Sequence, residues 1–472
     1  MTDAPAAERL AGRLDLDRPR RIHVANAGGA GMSAVATLLA ESGHRVSGHD
    51  PAPSTPFLPM LAGAGVAVTT GAGRAPLPGD VEAVVVSTAT PDDDPDVVEA
   101  RRRGVPVLHR AAALAALCAG RTTVAVAGTH GKTTTSALLT TILAGAGRDP
   151  GWVVGAGIAH LGASAARGGA GPLVVEADES DGTFLALGAA SAIVTNVEPD
   201  HLENWGGEAA LREGFRRFVA AVPGPVVLCA DDEGARALLA SAARPVTYGL
   251  DEAADYRIVD PAPAGTGVRF TLVHGAERVE VEVPAAPGVH NARNAAAALA
   301  LAHGSGVSLA QGAAALSGFR GVARRFELRG EAGGVTVVDS YDHLPTEVAA
   351  ALAAAAWGPW ERVVAVFQPH RYSRTAALWR SFADAFVDAD LLAVTDVYAA
   401  GEPARPGVSG KLILDAVLEA HPWAGVAWLP RLDDVLLWLR ATLRPGDLCL
   451  TLGAGDLTDL APRILAMLEE RG

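Results

Sequence analysis

The chain has 472 residues, several times the length of a typical domain, so two or three hydrophobic cores are expected. Hydrophobic residues at 49% and charged residues at 19% describe a folded globular protein and exclude a disordered one. A formal net charge of -14 argues against general nucleic-acid binding, which needs a basic stripe to displace phosphate counterions, so any anionic ligand must be met by local cations.

Cys118, Cys229 and Cys449 stand far apart with no CxxC spacing, which gives neither a metal cage nor a disulfide framework and fits a reducing compartment. The amino-terminal segment MTDAPAAERLAGRLDLDRPRR lacks a charged-then-apolar signal pattern, and no apolar run is long enough to span a bilayer. The expectation is a soluble, cytoplasmic protein with no membrane partner. Nearly every cation is arginine, the only lysines being Lys132 and Lys411, so the position of each lysine is informative.

Short apolar runs ending in Gly, Asp or Asn alternate with Ala/Leu-rich stretches of helical period, the pattern of βα units on a mainly parallel sheet. Three blocks are expected, at residues 1–118, 119–320 and 321–472. In the first, strands are predicted at RRIHVANA, HRVSGHD and AVVVSTAT. Asn26-Ala27-Gly28-Gly29-Ala30-Gly31 follows the first of them, and Asp50 ends the second, as in a dinucleotide fingerprint whose first glycine is Asn26. Asn tolerates the left-handed conformation such a turn needs.

The second block opens with TTVAVAGTHGKTTTSALLTTIL: a buried strand, a loop from Gly128 to Gly131, then Lys132 and Thr133 starting a helix. Loop amides and the helix amino terminus point partial positive charge at one spot, Lys132 adds a full charge, and the Thr133 hydroxyl can ligate Mg²⁺. Val126 stands where the Walker pattern has its first glycine, so the loop is a shorter variant. Farther on, Glu176 ends the strand of LVVEADESD, where open α/β sheets put their ligands, and His201 ends AIVTNVEPDH. The run YRIVDPAPAGTGVRFTLVHGAERVEVEVPAAPG changes to period two and predicts an antiparallel patch. Asn291 and Asn294 lie three apart on a predicted helix, where their amides can pair with adenine edges. The third block predicts strands in GVTVVDSYDH, RVVAVFQPH, LLAVTDVYAAG and DLCLTLGAGD, with Arg325, Arg371 and Arg374 as planar cations suited to phosphate or carboxylate.

GTHGKTTT (128–135) resembles the ATP loop of the Mur ligases, which add amino acids to peptidoglycan precursors. The similarity runs through EADESD, TNVEPDH, HNARNAAAALA, RRFE, QPHRYSRT and DVYAAGEPARPGVSG, in order and over nearly the whole chain. It implies an α/β fold of three domains: a Rossmann-like N-terminal domain for the UDP-sugar, a central P-loop ATPase domain with a mainly parallel sheet, and a Rossmann-like C-terminal domain. It also implies ATP and Mg²⁺, with UDP-N-acetylmuramate and a small amino acid as substrates, in a monomer or weak homodimer.

Residue by residue, the resemblance puts Lys132, Glu176, His201 and His343 in the chemistry and Thr133, Glu176 and His201 on the metal. Gly128, Thr129, His130, Gly131, Lys132, Thr133, Thr134, Asn291, Asn294, Arg325 and Asp339 fall to the nucleotide. Gly28, Gly31, Met32, Ser33, Asp50, Ser87, Ser180, Asp181, Tyr341, Asp342, Leu344, Arg371 and Arg374 fall to the other substrates. The absence of any lysine between Lys132 and Lys411 resembles the alanine-adding branch, which lacks the carbamylated lysine of some relatives. That branch reads DDYxHHPTE where this chain has Asp339-Ser340-Tyr341-Asp342-His343-Leu344-Pro345-Thr346-Glu347, a departure that bears on amino-acid choice. The rival readings are a ligase of this type with another amino acid or a recycled peptide, serving recycling or another cell-wall or secondary pathway, an NAD oxidoreductase and a non-catalytic P-loop binding protein. An oxidoreductase would show cofactor-dependent absorbance changes without consuming ATP, and a binding module would hold nucleotide without turnover.

Overall fold

The computed structural model describes residues 12, 14–52, 54–71 and 76–470. Most of the amino-terminal segment read for a signal pattern, residues 1–11 and 13, lies outside them. The described chain forms two compact units. One takes in the residues up to Val259 with Thr271–Val281 and Arg293–Gly318; the other takes in Asp260–Phe270, Glu282–Ala292 and the residues from Phe319 onward.

The first sheet contains β1 (Arg21–Ala25), β2 (Arg45–Asp50), β3 (Ala67–Thr70), β4 (Ala83–Val86) and β5 (Val107–His109), all parallel, in the order β3-β2-β1-β4-β5. The strand AVVV shows why this sheet is covered on both faces. Val85 packs into one core cluster and Val84 and Val86 into another, so a run with no polar alternation is the only one that fits. Parallel pairing brings the carboxyl ends of β1, β2 and β4 to one edge, which is where Gly28–Gly31, Asp50 and Ser87 stand.

The second sheet has ten strands: β6 (Thr123–Ala127), β7 (Gly151–Ile158), β8 (Ala163–Ala166), β9 (Leu173–Glu176), β10 (Ser191–Val194), β11 (Pro225–Cys229), β12 (Arg244–Gly249), β13 (Tyr256–Ala264), β14 (Gly267–His274) and β15 (Glu277–Val283). Their order is β15-β14-β13-β12-β11-β10-β6-β9-β7-β8. β6 is buried throughout and pairs in parallel with β10 and β9, so the loop leaving it emerges between the ends of those two strands. β13, β14 and β15 are neighbours joined by two-residue turns at Gly265 and Gly275, both with φ of +58°; such short connections require antiparallel pairing, as the period of two predicts.

The third sheet, in the second unit, is β16 (Glu327–Ala332), β17 (Val335–Ser340), β18 (Arg362–Phe367), β19 (Leu391–Val394), β20 (Val426–Trp428) and β21 (Asp447–Leu452), ordered β16-β17-β21-β18-β19-β20. Only β16 runs antiparallel to its neighbour. Leu448, Leu450 and Leu452 of β21 fill one face and Cys449 the other. All three cysteines are buried and free, and burial pushes the Cys118 and Cys449 thiols up to about 11 and about 12. Among the described residues no helix is long and apolar enough to cross a membrane.

Candidate active site

The phosphate loop takes its shape from two glycines. Gly128 has φ +131° and Gly131 φ +79°, a backbone L side chains rarely adopt. A Cβ on Gly128 would collide with the Thr195 hydroxyl and stand 3.0 Å from the Thr195 amide nitrogen and the Asn196 carbonyl; one on Gly131 would stand 2.7 Å from Asn294 Oδ1. The loop is pinned to the segment after β10: His130 N donates to Asn196 Oδ1 (2.7 Å), and Thr129 Oγ1 accepts from Glu198 N (2.9 Å). No side chain caps the helix Lys132–Gly145 that follows, so its first amides face the loop.

Lys132 Nζ donates to the Gly128 carbonyl (2.6 Å) and the Thr129 carbonyl (3.1 Å) and pairs with Glu179 (2.8 Å). Burial opposes the ammonium charge, but Glu179, Asp178 and Glu176 outweigh it and raise the Lys132 pKa. Burial pushes Glu179 up to about 7, with Lys132 pulling the other way and Asp178 adding to the rise. Beside the pair, Thr133 Oγ1 donates to Glu176 Oε1 (3.0 Å), and Glu176 Oε2 accepts from Gly155 N (2.6 Å). A hydroxyl and a carboxylate together at a helix amino terminus form a hard oxygen donor set that suits magnesium. Thr134 is buried one position along. His201 is not at a strand end: β10 stops at Val194, and His201, with φ +52°, caps the short helix Leu202–Trp205, its Nε2 3.3 Å from Asp200. Among the described residues no three His, Cys, Asp or Glu side chains converge as a ready metal cage.

In the first sheet Asn26 adopts the left-handed conformation (φ +54°), and its Oδ1 accepts from Thr90 Oγ1 (3.2 Å). Thr90 Oγ1 in turn accepts from Ser87 N (3.1 Å), which ties the loop after β4 to the turn after β1. The Asp50 carboxylate is taken by two amides, Gly28 N (2.7 Å) and Ala52 N (2.9 Å), so it shapes the turn. Met32 and Ser33 are buried in the helix Ala30–Glu41, with Ser33 Oγ on the Ala30 carbonyl (2.9 Å). Gly31 faces the Arg110 guanidinium. Arg110 pairs with Asp178 and with Asp181 (2.8 Å), and Ser180 N donates to Asp178 Oδ1 (2.9 Å).

In the second unit a separate cluster forms at the carboxyl ends of β17 and β18. The Arg324 and Arg325 guanidinium carbons lie 4.8 Å and 5.0 Å from the Tyr341 ring centroid. His343 meets Tyr341 edge-on at 5.5 Å and His370 at 5.6 Å, and His370 stacks on Tyr398 at 5.8 Å. Burial and the adjacent His343, Arg374, Arg371 and Arg324 push His370 down to about 3, so it is neutral and its Nδ1 receives Arg374 Nη1 (3.1 Å). Arg371, at φ +68°, caps the helix Tyr372–Leu378, which places Arg374 in a first helical turn and not in a loop. His343 Nδ1 stands 3.1 Å from the Tyr341 carbonyl. A carbonyl only accepts, so Nδ1 carries a proton. Asp339 is fully buried, accepting from Thr451 and Thr458 hydroxyls (both 2.7 Å). Ser340 Oγ donates to Asp342 Oδ2 (2.5 Å), and Leu344 is buried at the cap of the helix Pro345–Ala355. Asn291 donates to the Pro287 carbonyl (2.7 Å).

Residues 126–302 match the family described as Mur ligase middle domain, residues 21–122 the Mur ligase family, catalytic domain, and residues 324–455 the Mur ligase, glutamate ligase domain. A UDP-N-acetylmuramate–L-alanine ligase of Anaeromyxobacter sp. is 45% identical over 458 residues, covering 96% of this chain and 98% of its own. The chain belongs to the Mur ligase family. The ligase of the same description from Kineococcus radiotolerans is 46% identical over 463 residues, covering 96% and 97%. Among solved structures, UDP-N-acetylmuramate-alanine ligase from Thermotoga maritima superposes with a TM-score of 0.82 at 28% identity, covering 96% of this chain and all of that one. A murein peptide ligase from Psychrobacter arcticus superposes at 0.71 with 26% identity, covering 95% and 99%. The Mur ligase architecture is therefore that of this chain, with Rossmann-like N- and C-terminal domains and an ATPase domain between them in sequence.

In each of the two units this Mur ligase also brings into its polar cluster side chains that the motif reading does not single out. Glu179 and Asp178 lie inside EADESD, Arg110 begins the helix after β5, and His370 and Tyr398 lie inside two family motifs. For the loop, Gly128→Ala tests the backbone argument. The strained φ and the collision with Thr195 should cost about 2 kcal/mol, seen as a lower unfolding midpoint. An unchanged midpoint would contradict it.

Proposed function

We propose that this chain joins L-alanine to UDP-N-acetylmuramate at the expense of ATP, in peptidoglycan precursor synthesis in the cytoplasm, as a monomer or weak homodimer. We keep domain boundaries at 1–118, 119–320 and 321–472 for this reading. The observation that carries it is Lys132, a part-buried ammonium held by two loop carbonyls and Glu179 at an uncapped helix amino terminus. The names of the relatives at 45% and 46% identity support the substrate pair.

In this reading the turn Gly28–Gly31 takes the UDP diphosphate, with Met32, Ser33 and Asp50 shaping it and Ser87, Ser180 and Asp181 flanking it. The loop from Gly128 to Thr134 takes the triphosphate, while Asn291, Asn294, Arg325 and Asp339 serve the nucleotide. Thr133, Glu176 and His201 would hold Mg²⁺, which supplies charge neutralisation at the phosphoryl oxygens. A lactoyl carboxylate oxygen attacks the γ-phosphorus; the bond to the β-γ bridging oxygen breaks, giving ADP and an acyl phosphate. Lys132 balances the charge that builds on the γ-phosphoryl group. The amine of the amino acid attacks the activated carbonyl and phosphate leaves. His343, its Nδ1 proton held by the Tyr341 carbonyl, accepts at Nε2 the proton the amine sheds. Tyr341, Arg371 and Arg374 orient the amino acid.

Lys132→Ala tests the first step. The loop amides still bind nucleotide, but phosphate release with UDP-N-acetylmuramate, Mg²⁺ and L-alanine should fall by at least about a thousandfold with the fold intact. Turnover within tenfold of the starting protein would overturn the assignment.

The departures near Tyr341 bear on how the amino acid is held. Leu344 is packed away, which leaves Asp342, held by Ser340, as the group that meets the substrate ammonium. A carboxylate salt bridge reads the ammonium, which L-alanine, glycine and L-serine share, so it adds affinity without adding discrimination. Asp342→Gly should lower kcat/KM for all three together and leave their ratios within about twofold. A selective change in one ratio would show that Asp342 reads the side chain instead.

A further inference from the structure

Four carboxylates crowd the end of β9 and the segment after it: Glu176, Asp178, Glu179 and Asp181. Two cations reach it. Lys132 pairs with Glu179 at 2.8 Å. Arg110 enters from the helix Arg110–Cys118; its Nε lies 3.0 Å and its Nη2 2.8 Å from Asp181 Oδ2, and Nη2 also pairs with Asp178. Its side chain is only 17% exposed, and Asp181 4%. Thr88 Oγ1 donates to the same Asp181 oxygen (3.2 Å). The segment itself is held tightly: Thr183 N donates to Asp181 Oδ1 (3.0 Å), Phe184 N to the Asp178 carbonyl (3.1 Å), and Trp205 Nε1 to the Glu179 carbonyl (2.9 Å). These bonds pin the backbone and the Asp181 carboxylate, so the acids stay crowded and their charges need balancing nearby.

We propose that Arg110 is a positioning residue for Lys132: by pairing with Asp178 and Asp181 it leaves Glu179 alone to hold the ammonium, which stays available to an incoming triphosphate. The proposal rests on the reading that Lys132 receives ATP. Without Arg110, two unmatched carboxylates flank Glu179 in a fixed, largely buried segment. They draw the ammonium toward themselves and repel the triphosphate through a medium that screens poorly. Nothing in Arg110 need touch nucleotide for this to hold.

The test is calorimetric titration of the full chain with a non-hydrolysable ATP analogue and Mg²⁺, without the UDP-sugar. Arg110→Gln, which keeps hydrogen bonding and removes the charge, should weaken binding by about tenfold or more. Arg110→Lys should stay within about threefold of the starting protein, and Arg110→Gln with Asp178→Asn should recover most of the loss. A purely structural role predicts no recovery, because the second change removes one more partner. Gln binding as well as Arg, or a double variant as weak as the single, overturns the proposal. Should Arg110→Gln fail to fold, Asp178→Asn alone decides: it keeps Arg110 and Asp181 paired, so equal or tighter binding is expected and weaker binding overturns the proposal. If the starting protein binds no analogue, the phosphate-loop reading fails instead.

Discussion

A lysine ammonium part-buried between two main-chain carbonyls and a carboxylate loses much of its water shell, and the surroundings of Lys132 are arranged to replace it. Gly128 supplies one carbonyl only because its φ of +131° turns the loop back over the helix, and that conformation is tolerable only without a Cβ. Glu179 supplies the opposing charge because β9 ends at Glu176 and the next residues fold tightly over the strand end. Parallel pairing of β6 with β9 and β10 brings loop, acids and Asn196 to one edge. If the sheet order were changed, the lysine would be an uncompensated, largely buried charge, which costs several kcal/mol.

The same device recurs where backbone strain is stored. Asn26, His201 and Arg371, which follow strands, and Arg324 and Phe326, which precede β16, all have positive φ without being glycine, and each stands at or beside a cluster of polar side chains. Such conformations cost about 1 to 3 kcal/mol each and persist where hydrogen bonds over-determine them. Asn26 is held by Thr90, and Arg371 donates its amide to the Tyr398 carbonyl. In the second unit burial, helped by the neighbouring arginines, keeps the His370 ring neutral, so it serves as an acceptor for Arg374 and adds no further positive charge.

Much of this was legible in the sequence, for a physical reason: buried parallel strands such as TVAVA and AVVV are continuous apolar runs, and the loop glycines and Lys132, one of two lysines in the chain, mark a phosphate site by composition. Other features left no such trace. β7, with three glycines in GWVVGAGI, and β8, ASAA, carry little strand propensity and are strands because the sheet edge pairs them. β5 and β20 are three residues each, too short to show a period. His201 reads as a strand end, yet the irregular segment 195–200 separates it from β10. Which acid of EADESD meets Lys132 depends on the path of the loop, which side-chain periodicity does not encode. Arg110 was indistinguishable from the other arginines of a chain that uses almost no lysine; only the approach of its helix to the segment after β9 sets it apart.

In the proposed reaction the γ-phosphoryl group passes to the carboxylate of the UDP-sugar, so that an oxygen of that carboxylate leaves as phosphate. UDP-N-acetylmuramate labelled with ¹⁸O in the lactoyl carboxylate, turned over with ATP, Mg²⁺ and L-alanine, tests this directly by mass spectrometry of the phosphate released. Transfer of one labelled oxygen to each phosphate is predicted. Unlabelled phosphate formed together with the amide product would contradict the account, since activation would then have taken another route.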